Sequence, residues 1–334
     1  MERIRSRPGP FGPGLDAAEE ILIASRMLIM KIKAILAAVL CCMPSLALAK
    51  IRIVTTTEDF AALAREVGGD LAEAQSIAKG YEDPHFVQAK PSYLLKLKGA
   101  DLFVQVGLEL EVAWAGALLT NSRNTGILPG NQGFLDASDG CEILEKPLSV
   151  DRSMGDVHPL GNPHYWLDPA NGLAIARNIA QRLSQIDSAH AGDYEANLVK
   201  FKKRLDEKTK EWEALSVALK GLRVVTYHNS WPNFAKRFGL RVAGFIEPRP
   251  GIPASPAHVQ ALETQMKREK IPLVLIEPYF DEKLPQKIAE DTGARLVILP
   301  PSVGSEPSIK TYFDLFDHDL KLILKAAGKG QAKP

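Results

Sequence analysis

Only three of the 334 residues are cysteine, and two of them, Cys41 and Cys42, stand together in an apolar stretch near the N-terminus. Beyond that stretch Cys141 is alone, so no intramolecular disulfide can staple the chain and its stability must come from its core. Charge of either sign is not in excess. Forty-one Lys and Arg against 40 Asp and Glu leave a formal net charge of +1, with no basic stripe, which argues against nucleic acid as a partner. No apolar run approaches the about 20 residues that a membrane helix needs. Neither a His-Glu-x-x-His helix nor a His-x-His pair occurs, so the usual local signatures of a zinc hydrolase are missing. Histidine itself is scarce, with seven in the whole chain.

What is present begins with an ordered N-terminal pattern. Met30-Lys31-Ile32-Lys33 is basic, 34–43 is apolar, and Pro44-Ser45-Leu46-Ala47-Leu48-Ala49 is rich in small residues, which reads as a secretory signal over residues 30–49 cleaved after Ala49. The residues before the two cysteines are Leu40 and Cys41, where a lipid-attachment signal wants a small residue, so export to the periplasm without a lipid anchor is expected. Residues 1–29, with Pro8-Gly9-Pro10 and Pro13-Gly14, read as an extension from a misassigned start, with Met27 or Met30 as the true one. About 285 residues then remain, ample for two domains.

Strand-like apolar runs alternate with helical periodicity in two sets. The first comprises Ile51 to Thr55, a helix from Phe60 to Val67, Leu71 to Ala78, a helix from Pro91 to Leu97, Asp101 to Val106 and a helix through Trp114 and Leu118; Ile127 to Pro147 looks irregular or hairpin-like. The second begins at Leu222 to Thr226 and continues through strands at Leu240 to Phe245, Leu273 to Ile276 and Arg295 to Leu299, each followed by a helix. Alternation of this kind predicts α/β lobes with parallel sheets covered on both faces. Between the sets, 191–219 lacks proline and spaces Tyr194, Leu198, Phe201, Leu205, Trp212 and Leu215 in helical steps. A single rigid helix joining the lobes is the preferred reading, with boundaries at 50–190, 191–220 and 221–330.

Three histidines lie in distinctive segments more than sixty residues apart: Tyr81-Glu82-Asp83-Pro84-His85-Phe86, Asn162-Pro163-His164-Tyr165-Trp166, and Thr226-Tyr227-His228-Asn229. Such spacing excludes a local clip and suits a transition-metal site assembled where two domains meet. Proline before His85 and His164 stiffens the loops that carry them. His85 and His228 both follow strands, where open α/β sheets bind ligands, and they are expected in corresponding places of the two lobes. His190, His258 and His318 read as surface or capping groups. Asp168 either caps the helix from Ala170 or orients an imidazole, with capping preferred.

These segments, in order, resemble those of a known family. Ile51 with Val54-Thr55-Thr56, Asp83-Pro84-His85, Gly99-Ala100-Asp101-Leu102, Pro163-His164 with Trp166-Leu167-Asp168-Pro169, Tyr194-Glu195-Ala196-Asn197-Leu198, and Tyr227-His228 with Phe238-Gly239-Leu240 are similar to the metal-binding solute-binding proteins of zinc and manganese ABC transporters. The resemblance covers nearly all of residues 50–325. It implies two α/β lobes joined by one long helix, with the metal in the interlobe cleft on His85, His164 and His228. It also implies capture of Zn2+, or Mn2+, and delivery to a membrane permease with its separate ATPase by a monomeric receptor that is not an enzyme.

The family's fourth ligand, often an aspartate after the last strand, has no counterpart in Leu299-Pro300-Pro301-Ser302-Val303-Gly304. Glu277, at the end of its strand, is the expected substitute; Glu306, Glu247 and water are the alternatives. Long His-rich loops are absent, although His158 can offer a transient contact. A metal-dependent adhesin or sequestration protein and a zinc hydrolase are the competing classes, and three imidazoles favour Zn2+ over the oxygen-preferring Mn2+.

Overall fold

The structure is a computed structural model that describes residues 16–41, 49–149 and 158–328. The chain divides into two compact units, Met1–Ala49 and Lys50–Pro334. In the first, helix α1 (Ala17–Cys41) runs through both the expected extension and the start of the expected signal, and the Cys42 to Leu48 part of that signal lies outside the described residues. Among the described residues no helix is long and apolar enough to cross a membrane.

The second unit contains two sheets, each of four parallel strands. β1 (Ile51–Thr55), β2 (Ala72–Ser76), β3 (Leu102–Gln105) and β4 (Phe134–Asp136) form the first in the order β2-β1-β3-β4. β5 (Arg223–Thr226), β6 (Arg241–Phe245), β7 (Leu273–Ile276) and β8 (Arg295–Ile298) repeat that order as β6-β5-β7-β8. Central strands are apolar on both faces because helices cover both: every residue of β7 is buried. The region from Ile127 to Pro147 departs from expectation, since β4 is a fourth parallel strand and not a hairpin. At three residues, with one buried, it carries too short a pattern to be read from sequence.

The helices are α2 (Glu58–Gly68), α3 (Pro91–Lys98), α4 (Ala115–Asn121), α5 (Pro169–Ile186), α6 (Ala191–Ser216), α7 (Pro232–Phe238), α8 (Pro256–Glu269), α9 (Lys283–Thr292) and α10 (Tyr312–Ala326). Their starts obey local chemistry. Pro169 opens α5 behind Asp168, whose carboxylate accepts from Ala170 N at 2.9 Å, and Thr311 and Asp314 form a reciprocal capping box on α10.

Helix α6 is the connector that the periodicity predicts, 26 residues long and thus about 39 Å. Its N-terminal half packs on α2 and α5 of the first lobe, where Asn197 donates to Val67 O at 3.2 Å; its C-terminal half packs on α10, where Trp212 donates to Asp317 Oδ1 at 2.7 Å. Tyr194, Leu198, Phe201, Leu205 and Trp212 are buried, whereas Leu215 is exposed because the helix gives way to a 3₁₀ turn at Val217–Leu219. One apolar core runs without a break from Ile53 and Phe60 through Trp166 and Trp212 to Phe234 and Phe316, so the lobes share a core.

The loop that follows β8 is fastened to the first lobe. Asp59, buried in α2, accepts from Val303 N at 3.0 Å and from the Ser302 hydroxyl. Gly80 lies so close to this loop that a Cβ there would stand 2.0 Å from Val303 O, which explains why no larger residue fits.

Candidate metal centre

The three widely spaced histidines converge. His85, His164 and His228 each offer a ring nitrogen, and these donor atoms all lie within 4.8 Å of one another. Ring centroids are separated by 5.2 Å (His85 to His164), 5.3 Å (His85 to His228) and 5.5 Å (His164 to His228). The elements behind them differ. His85 sits in the loop after edge strand β2, whereas His228 follows β5, whose counterpart in the first sheet is β1. The expected correspondence of the two positions therefore does not hold, because the lobes meet with different loops facing the cleft.

Each imidazole is held through Nδ1. Asp83 Oδ1 accepts from the His85 backbone at 2.9 Å and lies 2.8 Å from its Nδ1. Asn162 Oδ1 repeats the arrangement on His164, at 3.0 and 3.1 Å. For His228 the partner is Glu247, 2.5 Å away, which also accepts from Gly251 N at 2.7 Å. With Nδ1 engaged, Nε2 is left to point elsewhere, and His85 Nε2 and His164 Nε2 are buried without a hydrogen-bond partner. Oriented rings with idle, buried lone pairs are the geometry that metal-binding imidazoles need. The loops themselves are anchored: Trp114 Nε1 donates to Pro84 O at 2.9 Å, and the Tyr165 hydroxyl donates to Val106 O at 2.7 Å.

The electrostatics suit a cation. Burial, with the neighbouring imidazoles adding to it, pushes the His164 pKa well below the usual histidine range, so that ring is neutral and able to ligate. Burial also opposes charge on His228, but the Glu247 carboxylate and Glu277 outweigh it and raise its pKa. Asp83 loses by burial and gains more from His85, which holds its carboxyl below the ordinary value.

The other candidates fall into place around this trio. Glu277 is fully buried directly after β7 and accepts from Trp231 Nε1 at 3.0 Å with Oε1; the Ser230 hydroxyl stands near enough to favour its charge, and Oε2 has no partner at hydrogen-bond distance. Burial raises its pKa to about 7, against the opposing pull of His228. It does not belong to the group whose donor atoms lie within 4.8 Å. Glu247 holds His228 from behind, and Glu306 is drawn to the surface beside His318 Nε2 at 3.6 Å. At the position after the last strand, Pro301 offers only its carbonyl, which accepts from Trp166 Nε1 at 3.0 Å. Asp168 caps α5 and pairs with Arg237 at 2.7 Å. His190 pairs with Asp187, His258 contacts Phe245 O through Nε2, and His318 pairs with Asp319, all away from the trio.

A cleft of about 320 Å3 leads to the centre, lined by His158, His164, His228, Glu145, Asn229 and Pro250. Glu145 Oε2 accepts from Asn162 at 3.2 Å and from Asn229 at 2.7 Å, and Asn162 also donates to Asn229 O at 2.8 Å. These bonds stitch the His164 loop to the His228 loop across the lobes.

Three oriented imidazoles in a cleft between two parallel α/β lobes meet a matching family: the sequence profile of the zinc-uptake complex component A periplasmic family covers residues 53–326. The chain belongs to this family. Among the relatives of this chain is the manganese ABC transporter substrate-binding lipoprotein PsaA of Streptococcus mitis, 24% identical over 288 residues, which are 84% of this chain and 90% of PsaA. The metal ABC transporter substrate-binding lipoprotein FimA of Streptococcus parasanguinis is 28% identical over 255 residues, 73% of this chain and 77% of FimA. A crystal structure of ZnuA superposes with a TM-score of 0.70 at 24% identity, over 83% of this chain and 99% of that one. The Mn-bound S38A mutant of the periplasmic metal binding protein from Candidatus Liberibacter asiaticus gives 0.69 at 20% identity, with coverages of 83% and 99%. At that identity the two structures speak for the two-lobe fold. Together the family and its relatives make this chain a metal ABC transporter substrate-binding protein, and such proteins are not enzymes.

Sequence reasoning missed Asn162, Glu145 and the orienting role of Asp83. A signal was available for two of them, since an Asx residue stands two positions before the histidine in both Asp83-Pro84-His85 and Asn162-Pro163-His164.

Proposed function

We propose that this chain captures a divalent ion outside the cytoplasm, zinc in preference to manganese, and hands it to a membrane permease driven by a separate ATPase. The observation that carries the reading is the convergence of His85, His164 and His228 donor atoms within 4.8 Å. Imidazole nitrogen suits Zn2+, whereas Mn2+ favours oxygen donors, and a set with three nitrogens therefore leans to zinc. The receptor works as a monomer, reaching the periplasm through the signal at 30–49 and using lobes at 50–190 and 221–330 with 191–220 between them.

The proposed ligand set is His85, His164, His228 and Glu277. Three neutral imidazoles leave the charge of the ion uncompensated, and the unpartnered Oε2 of Glu277, at the end of the strand next to that bearing His228, supports its role as the carboxylate of the site. Metal analysis of the untagged protein, followed by Zn2+ and Mn2+ competition, tests the reading. Zinc should be retained and should displace manganese. His85→Ala, His164→Ala and His228→Ala should each weaken zinc binding by two orders of magnitude or more in a folded protein, and Glu277→Gln by one order or more, while Glu306→Gln leaves it unchanged. Preferential retention of manganese would overturn the choice of metal, and native affinity in a histidine variant would remove that residue from the site.

A further inference from the structure

A fourth imidazole stands at the mouth of the site. The ring of His158 lies 5.4 Å from that of His85, a separation within the 5.2 to 5.5 Å that relates the three convergent rings to one another. Its Nε2 is buried and has no hydrogen-bond partner. The backbone carbonyl of Leu108 engages the ring, and since Nε2 is unpartnered the engaged nitrogen is Nδ1. His158 is thus prepared in the same way as His85 and His164: an oxygen acceptor behind Nδ1 and an idle Nε2 in front. An ordinary buried histidine satisfies both ring nitrogens, because leaving a buried polar atom unpaired costs roughly 1 to 3 kcal/mol.

The acceptor is itself held in an uncommon way. Gly107, Leu108 and Glu109 are all left-handed, with φ of 80°, 53° and 66°, a conformation that costs non-glycine residues on the order of 1 kcal/mol or more. The buried carboxyl of Glu111 accepts from Val106 N at 2.7 Å and Gly107 N at 3.1 Å and pins the start of this turn. The strained turn places the Leu108 carbonyl against His158. On the other side, His158 shares the open cleft with His164 and His228, whereas Glu277 is sealed from solvent and does not line it.

We propose that His158 is a fourth imidazole ligand of the bound ion, on the solvent side of the site, opposite the buried Glu277. The inference rests on the metal-receptor reading above. His158 stands outside the trio whose donors already lie within 4.8 Å, so it is the last of the imidazoles to reach the ion. The outer ligand then closes the cleft mouth, and the last donor to engage on loading is the first to let go on release.

The test counts ligand nitrogens in the whole protein. The chain is labelled with 15N-histidine, loaded with 113Cd2+, and examined for one-bond couplings between cadmium and ring nitrogens. Four coupled Nε2 resonances are expected, with His158→Gln losing one of them and binding zinc about tenfold or more weakly in chelator competition. His258→Gln should lose none. Three coupled resonances in the unaltered protein would overturn the role of His158 while leaving the receptor reading intact. Absence of cadmium and zinc binding altogether would instead remove the receptor reading. Because the count is made on the unaltered protein, it stands even if His158→Gln fails to fold.

Discussion

At the scale of single residues, the site is built from one device used twice. In Asp83-Pro84-His85 and in Asn162-Pro163-His164 the Asx oxygen accepts from the histidine backbone and engages its Nδ1, while the intervening proline, lacking an N–H, adds no competing donor. The ring is thereby fixed before the ion arrives, and Nε2 is the only atom left to bind. Asp83→Ala removes this support without touching a ligand. A tenfold to hundredfold fall in zinc affinity, the usual effect of losing a partner behind a metal ligand, is expected from competition titration. Unchanged affinity would show that packing alone orients His85. The two prolines are legible in sequence as loop stiffeners, but the hydrogen bonds that make the Asx residues matter depend on χ angles that the pattern alone does not contain.

At the scale of elements, the contact between α2 and the loop after β8 joins the lobes through a buried carboxyl. Burial raises the Asp59 pKa to about 7, against the hydrogen bonds from Ser302 and Val303 that favour its charge. A folded-state value above the unfolded one means that the native state holds the proton more tightly. The contribution of Asp59 to stability is therefore fully present below about pH 4 and is lost as pH rises toward about 7. Asp59→Asn removes the titration and keeps an acceptor for Val303 N. Urea unfolding midpoints should consequently fall less between pH 5 and 8 in this variant than in the parent, and an identical slope would show that Asp59 does not titrate in that window. The connector helix depends in the same way on one anchor. Trp212 is fully buried against Phe313 and Phe316, and Trp212→Ala should lower stability by about 3 to 5 kcal/mol in denaturant melts. A loss under about 1 kcal/mol would mean that α6 is held elsewhere.

At the scale of the whole molecule, the shared core limits what binding can do. Wide clamshell opening would expose the continuous apolar core and bend α6, which has 26 residues and no proline. Metal loading should therefore change the radius of gyration by less than about 1 Å in solution scattering, with movement confined to loops and a small lobe rotation. A change of several ångströms would contradict the rigid connector. Zinc at about 100 times its dissociation constant should add roughly 2.7 kcal/mol to stability and raise the melting temperature, because the ion binds the assembled site only.

The sequence by itself determined the alternation of strands and helices, the connector between 191 and 219, and the three histidines as a set. Each is written in local periodicity or in a short motif, which a reader of residues can see. It did not determine β4, whose three residues carry no period, nor the mismatch by which His85 leaves an edge strand and His228 a central one. Only the tertiary structure decided which nitrogens are idle, since that depends on Asp83, Asn162 and Glu247 arriving behind the rings. It also decided that Glu306 faces away and that His158, read as a passing contact, stands beside His85 with a buried, unpartnered nitrogen. Contacts between residues tens or hundreds of positions apart are set by how two lobes pack on one core, and packing is a property of the folded chain as a whole.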